Sequence, residues 1–168
     1  MNEAVAAVPP KVQQALANTV IDVGKDGASQ YDYVHDILYV AKGAEKEEII
    51  HEIGHMVENK LLDNEKVNQL REKIVGFVYP QDIITETYYD NAGNAIDIFL
   101  LSREQFVSQY QGRIYINNIF DAFKTDGTFS DELLWEFMSE PFRQYVENPM
   151  LLKEKSPEIF ALIEEAVL

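Results

Sequence analysis

The sequence predicts a single α+β domain covering residues 1–168, and three observations support this fold class. Apolar residues recur at three- and four-residue steps between 44 and 62, which is the period of an amphipathic helix. Two β-branched and aromatic runs, 83–89 and 95–101, flank the turn sequence DNAGN and predict a β-hairpin. Helical patterns return between 130 and 167, so helices and strands are mixed along the chain.

Before residue 63, the sequence predicts a short helix, two strands and the long amphipathic helix. Pro9 and Pro10 mark the turn into the first helix, because proline fixes its own φ and suits a helix start. The two strands are β-branched or aromatic runs bounded by glycines. The long helix carries glutamates in its first turn, where the helix dipole stabilises them. The predicted ranges are helix 11–18, strands 19–23 and 37–40, and helix 44–62.

After the long helix, the sequence predicts another helix, the hairpin, a short strand and two closing helices. Ser130 and Ser156 stand at the starts of the closing helices, and serine is a favoured N-cap residue. The hairpin turn is rich in Asp and Asn, but it lacks the closing glutamate of a calcium loop, so we expect only a turn there. The predicted ranges are helix 64–76, strands 83–89, 95–101 and 112–116, and helices 130–146 and 156–167.

The charge balance limits the classes of partner. The chain has 14 Lys and Arg against 29 Asp and Glu, which gives a net charge of −15 at pH 7. Such a surface repels phosphate backbones and anionic lipids, so neither nucleic acid nor a membrane surface is an expected partner. No window approaches the roughly 20 consecutive apolar residues of a membrane helix, and we expect a soluble protein.

The stretch EEIIHEIGHMVE, residues 47–58, holds two of the three histidines. His51 and His55 are four residues apart, so on a helix both rings project from one face and can meet one metal ion. Zinc would lower the pKa of a bound water from about 16 toward about 7, and Glu52 could take its proton and deliver it to a leaving amine. The alternative is an ordinary amphipathic helix whose histidines have this spacing by chance.

A third protein ligand is required, because catalytic zinc sites of this kind use three ligands and a water. Cysteine is absent, so the ligand must be His, Asp or Glu. His35 lies between turn residues and a strand, which is typical of a solvated loop histidine. The metzincin extension would need Gly and His where the chain has Glu58 and Leu61, so that class is excluded.

The stretch LWEFMSEPFR supplies the best candidates for the third ligand. Glu136 and Glu140 are one turn apart in a predicted apolar helix, and buried carboxylates need a positive partner. A metal for Glu136, with Glu140 orienting a histidine, would provide it. The alternative is that Glu140 pairs with Arg143 while Glu136 points to water.

HEIGHMVE followed much later by EFMSEPFR resembles the zinc-peptidase domain of anthrax lethal factor and its relatives, among them the Pro-Pro endopeptidases. In that family H-E-[FL]-G-H is completed by a Glu in an E-F-F-A-E-A-F-like helix. The resemblance covers residues 37–62 and 130–168. It implies a zincin-like, gluzincin-type fold with a twisted sheet packed on the H-E-x-x-H helix and a C-terminal helical part, acting on a peptide or protein substrate. The implied roles are Zn²⁺ ligands His51, His55 and Glu136, general base Glu52 and supporting acid Glu140.

Two departures from that family affect the expected activity. The long gap between the motifs makes residues 66–125, with the hairpin, an expected insertion or elaborated substrate edge. The family also places an oxyanion-stabilising Tyr seven residues before the glutamate ligand, where this chain has Phe129. Phe cannot donate a hydrogen bond, so Tyr110 or Tyr115 would have to replace it. The alternative for both tyrosines is a role in the aromatic core.

The run FVSQYQGRIY with the downstream SEPFRQYVENP also resembles the peptidase-like module of phage head-morphogenesis and minor capsid proteins. This resemblance implies a rival function, in which a non-catalytic zincin-like module serves assembly within a larger phage or prophage particle. Phe129 favours the rival. The first residues carry no secretory signal, and a cytoplasmic or virion-associated location is expected.

Overall fold

The computed structural model describes all 168 residues and is a mixed α+β structure, which confirms the predicted class. It contains seven α-helices, six β-strands and a few short 3-10 turns. The helices are α1 (Asn2–Ala7), α2 (Pro10–Ala17), α3 (Lys46–Lys60), α4 (Asn64–Val75), α5 (Ser139–Glu147), α6 (Pro149–Lys155) and α7 (Pro157–Val167). The strands are β1 (Val20–Lys25), β2 (Gln30–Asp32), β3 (Ile37–Ala41), β4 (Ile83–Tyr89), β5 (Ala95–Leu101) and β6 (Arg113–Ile114). None of the helices is long and apolar enough to cross a bilayer.

The strands divide into two three-stranded sheets instead of the one sheet that we expected. The first sheet has the order β1-β3-β2, with β1 parallel and β2 antiparallel to β3. Strand β2 was not predicted, because three residues are too few to carry a period-two pattern. This sheet packs against α3. The buried side chains are those of Tyr31 in β2 and of Leu38 and Val40 in β3.

The second sheet is antiparallel, with the order β4-β5-β6, and contains the predicted hairpin. Asp90 closes the turn, because its carboxylate accepts the backbone N–H groups of Ala92 and Asn94. The predicted strand 112–116 is shortened to the two residues of β6. A Cβ at Gly112 would come within 1.7 Å of the Leu101 carbonyl oxygen, so only glycine allows this approach to β5.

Helix α3 lies at the centre of the hydrophobic core. Its apolar side chains are fully buried between the first sheet and the helices α1 and α5. Burying each such aliphatic side chain stabilises the fold by roughly 1.5–3 kcal/mol. The long amphipathic helix was therefore predicted correctly within two residues at each end. The buried apolar residues of this helix are Ile49, Ile50, Ile53, Met56 and Val57.

The predicted closing helix 130–146 is wrong in its first half, since α5 begins only at Ser139. The preceding segment forms the 3-10 turn Asp131–Leu133 and an irregular turn. Pro141 explains the late start, because it has no N–H for the carbonyl four residues back and fits only the first helical turn. The Gln111 side chain donates to that carbonyl, on Phe137, at 3.1 Å in place of the missing backbone group.

Helix α7 agrees with the predicted range 156–167, whereas α1 and α6 were not predicted. Ser156 precedes α7, but its side chain makes no capping hydrogen bond and its hydroxyl is buried without a partner. The predicted helix 64–76 is confirmed as α4. It is capped by Asp63, whose carboxylate accepts the backbone N–H groups of Glu65 and Lys66.

Candidate metal centre

His51 and His55 lie one turn apart on the face of α3 that meets α5. Their ring centroids are 5.0 Å apart and the rings are nearly perpendicular. One ligand atom from each of His51, Glu52 and His55 lies within 4.8 Å of the others. These three residues form a group that could hold a metal ion.

Glu136 meets both histidines from the turn before α5. Its Oε2 lies 2.9 Å from His51 Nε2 and 3.2 Å from His55 Nε2, and its side chain is only 5% exposed. Donor atoms bound about 2.1 Å from one tetrahedral metal are about 3.4 Å apart, so the observed spacing fits a shared ion. The Ser139 hydroxyl donates to the same Oε2 at 3.0 Å and helps to fix the carboxylate. Glu136 does not point to water, in contrast to the alternative drawn from the sequence.

Glu140 contacts the far side of the His51 ring. Its Oε1 lies 2.8 Å from His51 Nδ1, while Oε2 accepts the Ser108 hydroxyl at 2.6 Å and an Arg143 N–H at 3.1 Å. A carboxylate at Nδ1 keeps the proton on that nitrogen and directs Nε2 toward Glu136. The pairing with Arg143 and the contact with the histidine therefore occur together.

The close contact of α3 with α5 depends on Gly54. A Cβ at this position would lie 2.8 Å from the Ser139 Cα and 2.9 Å from the Ser139 carbonyl oxygen. Those are backbone atoms, which cannot swing away as a side-chain end does. The residue between the two histidines is thus small because the backbone that carries Glu136 passes directly against it.

We expect Gly54→Ala to lower both the free energy of unfolding and the metal affinity. Overpacking costs typically about 1–3 kcal/mol, whereas alanine gains only about 1 kcal/mol in helix propensity. Forcing α3 and α5 apart would also increase the distance from the histidines to Glu136. Urea unfolding and metal titration measure the two effects. Glu154→Ala, at an exposed position of α6, is the control and should change neither.

Glu52 is held by the short strand β2. Its Oε2 accepts the backbone N–H of Tyr31 at 3.0 Å. The Tyr31 hydroxyl donates to Asp36 at 2.9 Å and accepts from Asn59 on α3 at 3.0 Å, which ties the strand to the helix. Burial raises the pKa of Glu52 above its usual value, although the two histidines oppose the shift.

The two candidate tyrosines lie beside the centre. Tyr115 donates its hydroxyl to Oε1 of Glu136, and burial together with this hydrogen bond raises the Tyr115 pKa. The Tyr110 hydroxyl is 3.1 Å from the Tyr115 hydroxyl, and its ring centroid is 5.7 Å from that of His51. Because Tyr115 has one proton and gives it to Glu136, Tyr110 is the donor between the two hydroxyls. Trp135 stacks on the Tyr115 ring at 4.5 Å.

Neither Phe129 nor His35 is among the residues that contact His51, His55 or Glu136. Phe129 forms an isolated antiparallel bridge with Phe123, and their rings meet edge to face at 6.0 Å. The His35 side chain is 68% exposed at the turn between β2 and β3, where it contacts Asp32 at 2.7 Å. The exposed loop position predicted for His35 is thus confirmed.

Sequence reasoning missed two hydroxyls that touch the carboxylates. Ser139 could have been suspected, since it lies between Glu136 and Glu140 in the same motif. Ser108 lies 32 positions before Glu140 and no local pattern marks it. The backbone N–H of Tyr31 was also missed, because any non-proline residue offers that group.

The two carboxylates govern the charge of His51. Burial alone would lower the His51 pKa, but the hydrogen bonds with Glu136 and Glu140 outweigh it and raise the pKa to about 9. Burial opposes the charged forms of both acids as well, yet His51 and its neighbours hold the Glu136 pKa well below its usual range and lower that of Glu140 to about 2. Without metal, an imidazolium lies between two carboxylates.

We expect the metal-free chain to lose stability as the pH rises from 6.5 to about 9. A His51 pKa raised from 6.5 to about 9 means that the folded state keeps a proton which the unfolded state releases in this window. The stabilisation is complete below pH 6.5 and disappears above about pH 9. Urea unfolding in excess chelator measures it. His51→Gln should flatten this part of the profile, and an unchanged slope would contradict the imidazolium between two acids.

No family model matches the chain, and neither a curated protein nor a solved structure is significantly similar to it. The function must therefore be inferred from the chain's own residues and their geometry.

Proposed function

We propose that the chain is a zinc-dependent peptidase with a zincin-like fold, which hydrolyses peptide bonds with Glu52 as general base. The observation that carries the proposal is the meeting of His51 Nε2 and His55 Nε2 with Glu136 Oε2, at 2.9 and 3.2 Å, beside the Glu52 carboxylate. The resemblance of HEIGHMVE and EFMSEPFR to the anthrax lethal factor and Pro-Pro endopeptidase family supports the same ligand set.

The donor set suits zinc, and the H-E-x-x-H spacing favours zinc over iron(II), which also binds two imidazoles and a carboxylate. Two imidazole nitrogens and one carboxylate oxygen form a three-ligand set that leaves a coordination position for water or substrate. Calcium and magnesium prefer oxygen donors throughout, so two histidines argue against them. His51, His55 and Glu136 would hold the ion. When bound, zinc would acidify a water molecule and polarise the carbonyl of the substrate.

Glu52 is suited to move the proton. The Tyr31 N–H holds one carboxylate oxygen at 3.0 Å, which leaves the other oxygen to accept a proton and return it to the leaving amine. Burial raises the Glu52 pKa above its usual value, and a carboxylate whose pKa is raised is a stronger base. The strand β2 thus acts as the support for the base.

Tyr110 and Tyr115 are the proposed substitutes for the oxyanion donor that Phe129 cannot supply. Tyr115 gives its proton to Glu136, whereas Tyr110 gives its proton only to Tyr115. A substrate oxygen could therefore accept from Tyr110 without removing the Tyr115 support of Glu136. We assign oxyanion stabilisation to Tyr110 and positioning of the Glu136 carboxylate to Tyr115.

Cleavage of a peptide library tests the proposal. The chain is freed of metal with chelator, dialysed, and assayed before and after addition of one equivalent of zinc. We expect cleavage only after zinc is restored. The rival proposal is a non-catalytic module for assembly in a phage or prophage particle, favoured by Phe129, which packs on Phe123. A chain that holds one zinc and cleaves no peptide would support the rival.

A further inference from the structure

A pocket of about 450 Å³ opens beside the candidate metal centre. One wall is a face of the β4–β5 hairpin, and the opposite wall comes from the segment 108–113 and from α5. Tyr110 and Glu140 line it, and both also contact His51. A peptide bound at the metal centre could therefore place a neighbouring group in this pocket.

Arg113 lines the pocket without a carboxylate partner. Among the other arginines, Arg71 pairs with an aspartate, Arg143 pairs with two glutamates, and Arg103 donates to three backbone carbonyls. The guanidinium of Arg113 has five N–H donors, yet its one protein acceptor is the Tyr110 hydroxyl, at 3.4 Å. Such a long contact is weak, so most of the donor capacity of this partly buried cation is unused.

Two aromatic rings and one backbone ladder hold Arg113 at the pocket wall. Its guanidinium carbon is 4.6 Å from the Tyr115 ring centroid and 5.5 Å from that of Tyr110. Its backbone is paired with Leu100 of the hairpin. A guanidinium packed on aromatic rings loses less freedom when it binds a ligand than a side chain that is mobile in water.

The other charged side chains at the pocket already have hydrogen-bonding partners within the protein. Glu140 and Arg143 pair with each other at 3.1 Å. Glu86 accepts from the Tyr88 hydroxyl at 2.7 Å and from the Gln109 amide at 2.8 Å, so each of its oxygens has a donor. The charged group in the pocket with unused hydrogen-bond donors is therefore the Arg113 guanidinium. It is a cation in a chain whose net charge is −15.

We propose that this pocket is a substrate subsite that selects a peptide carboxylate, and that Arg113 is the residue that binds it. The inference rests on the proposed peptidase function. The planar guanidinium fork matches a carboxylate with two parallel hydrogen bonds, which neither a lysine nor a neutral donor reproduces. The carboxylate comes from one of two sources: an Asp or Glu side chain next to the cleaved bond, or the free C-terminus of a short peptide.

Peptide binding to the 168-residue Glu52→Gln chain loaded with zinc tests the subsite, because this variant does not consume the ligand. Four fluorescent peptides share one sequence and differ only in an internal Glu or Gln and in a free or amidated C-terminus. Hydrogen bonds to charged groups contribute roughly 1.5–3 kcal/mol, so we expect a carboxylate to tighten binding about 10- to 100-fold. The peptide that carries the preferred carboxylate identifies its source.

Adding Arg113→Gln should remove the preference while binding of the uncharged peptide stays within about twofold. Lys25→Gln makes the same charge change on the exposed strand β1 and should keep the preference. Arg113→Lys keeps the charge without the fork, should retain part of the preference, and replaces the glutamine variant if that variant unfolds. Equal binding of all four peptides, no binding at all, or a preference that persists without Arg113 would overturn the subsite.

The subsite and the peptidase proposal can nevertheless fail separately. If peptides with a carboxylate bind through Arg113 but the wild-type chain cleaves no peptide, the subsite proposal stands and the peptidase proposal fails. If the wild-type chain cleaves the Glu and Gln peptides equally, with either C-terminus, the peptidase proposal stands and the subsite proposal fails.

Discussion

Glu52→Gln is expected to lower kcat/KM for peptide hydrolysis by about 100- to 10,000-fold, the usual contribution of a general base. Glutamine keeps the size of the side chain and its contact with the Tyr31 N–H, but it cannot take a proton. Zinc content should stay at one ion per chain, because His51, His55 and Glu136 supply the proposed ligands. Initial rates with a cleaved peptide and metal analysis of the same preparation provide the two measurements.

Glu154→Gln is the matched control, since it makes the same chemical change at an exposed position of α6. Its activity should equal that of the wild type within about twofold. Full activity of a zinc-loaded Glu52→Gln chain would mean that another group takes the proton. Loss of zinc together with activity would instead assign Glu52 to the metal ligands.

Glu136→Ala should abolish most of the zinc affinity. Glu140→Ala should weaken zinc binding by about 10- to 100-fold, as the loss of a carboxylate behind a ligating histidine does. The difference follows from geometry, because Glu136 Oε2 meets Nε2 of both histidines whereas Glu140 reaches only Nδ1 of His51. His35→Ala should have no effect, since His35 is on an exposed turn. Competition with a chromophoric chelator measures the four affinities.

Removing Glu136 also leaves two hydroxyls, those of Tyr115 and Ser139, without their acceptor. Glu136→Gln is therefore the second variant, because its amide oxygen can still accept from one of them while the negative charge is lost. Both variants should lose zinc while their far-UV circular dichroism spectra remain those of the folded chain. Retention of zinc by Glu136→Ala, with loss in the His35 variant, would show that the assignment of the third ligand is wrong.

Local patterns were sufficient for the long helix and the hairpin. Helix α3 buries Ile49, Ile53 and Val57 along one face, and that spacing is a property of the sequence alone. The hairpin depends on the turn at 90–94, whose Asp90 accepts backbone N–H groups within the turn itself. Elements this regular can be predicted because the interactions that stabilise them join residues close together in sequence.

The start of α5 shows where such patterns stop being sufficient. The apolar spacing of residues 130–138 suits a helix, yet the chain there is a series of turns. Pro141 was the local indication of a later start. The Phe137 carbonyl, which has no helical partner because of this proline, accepts a hydrogen bond from the side chain of Gln111, 26 positions earlier in the chain. The unexpected strand β2 is similar, because three residues become a strand only by pairing with β3.

The sequence by itself determined that His51, Glu52 and His55 share one helix and can form a metal-binding group, because a helix brings residues four apart to one face. It could offer Glu136 and Glu140 only as candidates. The tertiary structure decided which atoms meet: Gly54 lets the backbone of Ser139 approach α3, and this approach brings Glu136 to both Nε2 atoms. The tertiary structure also places no carboxylate within ion-pair distance of Arg113. Contacts between residues tens of positions apart depend on how the elements pack, and no local period encodes that packing.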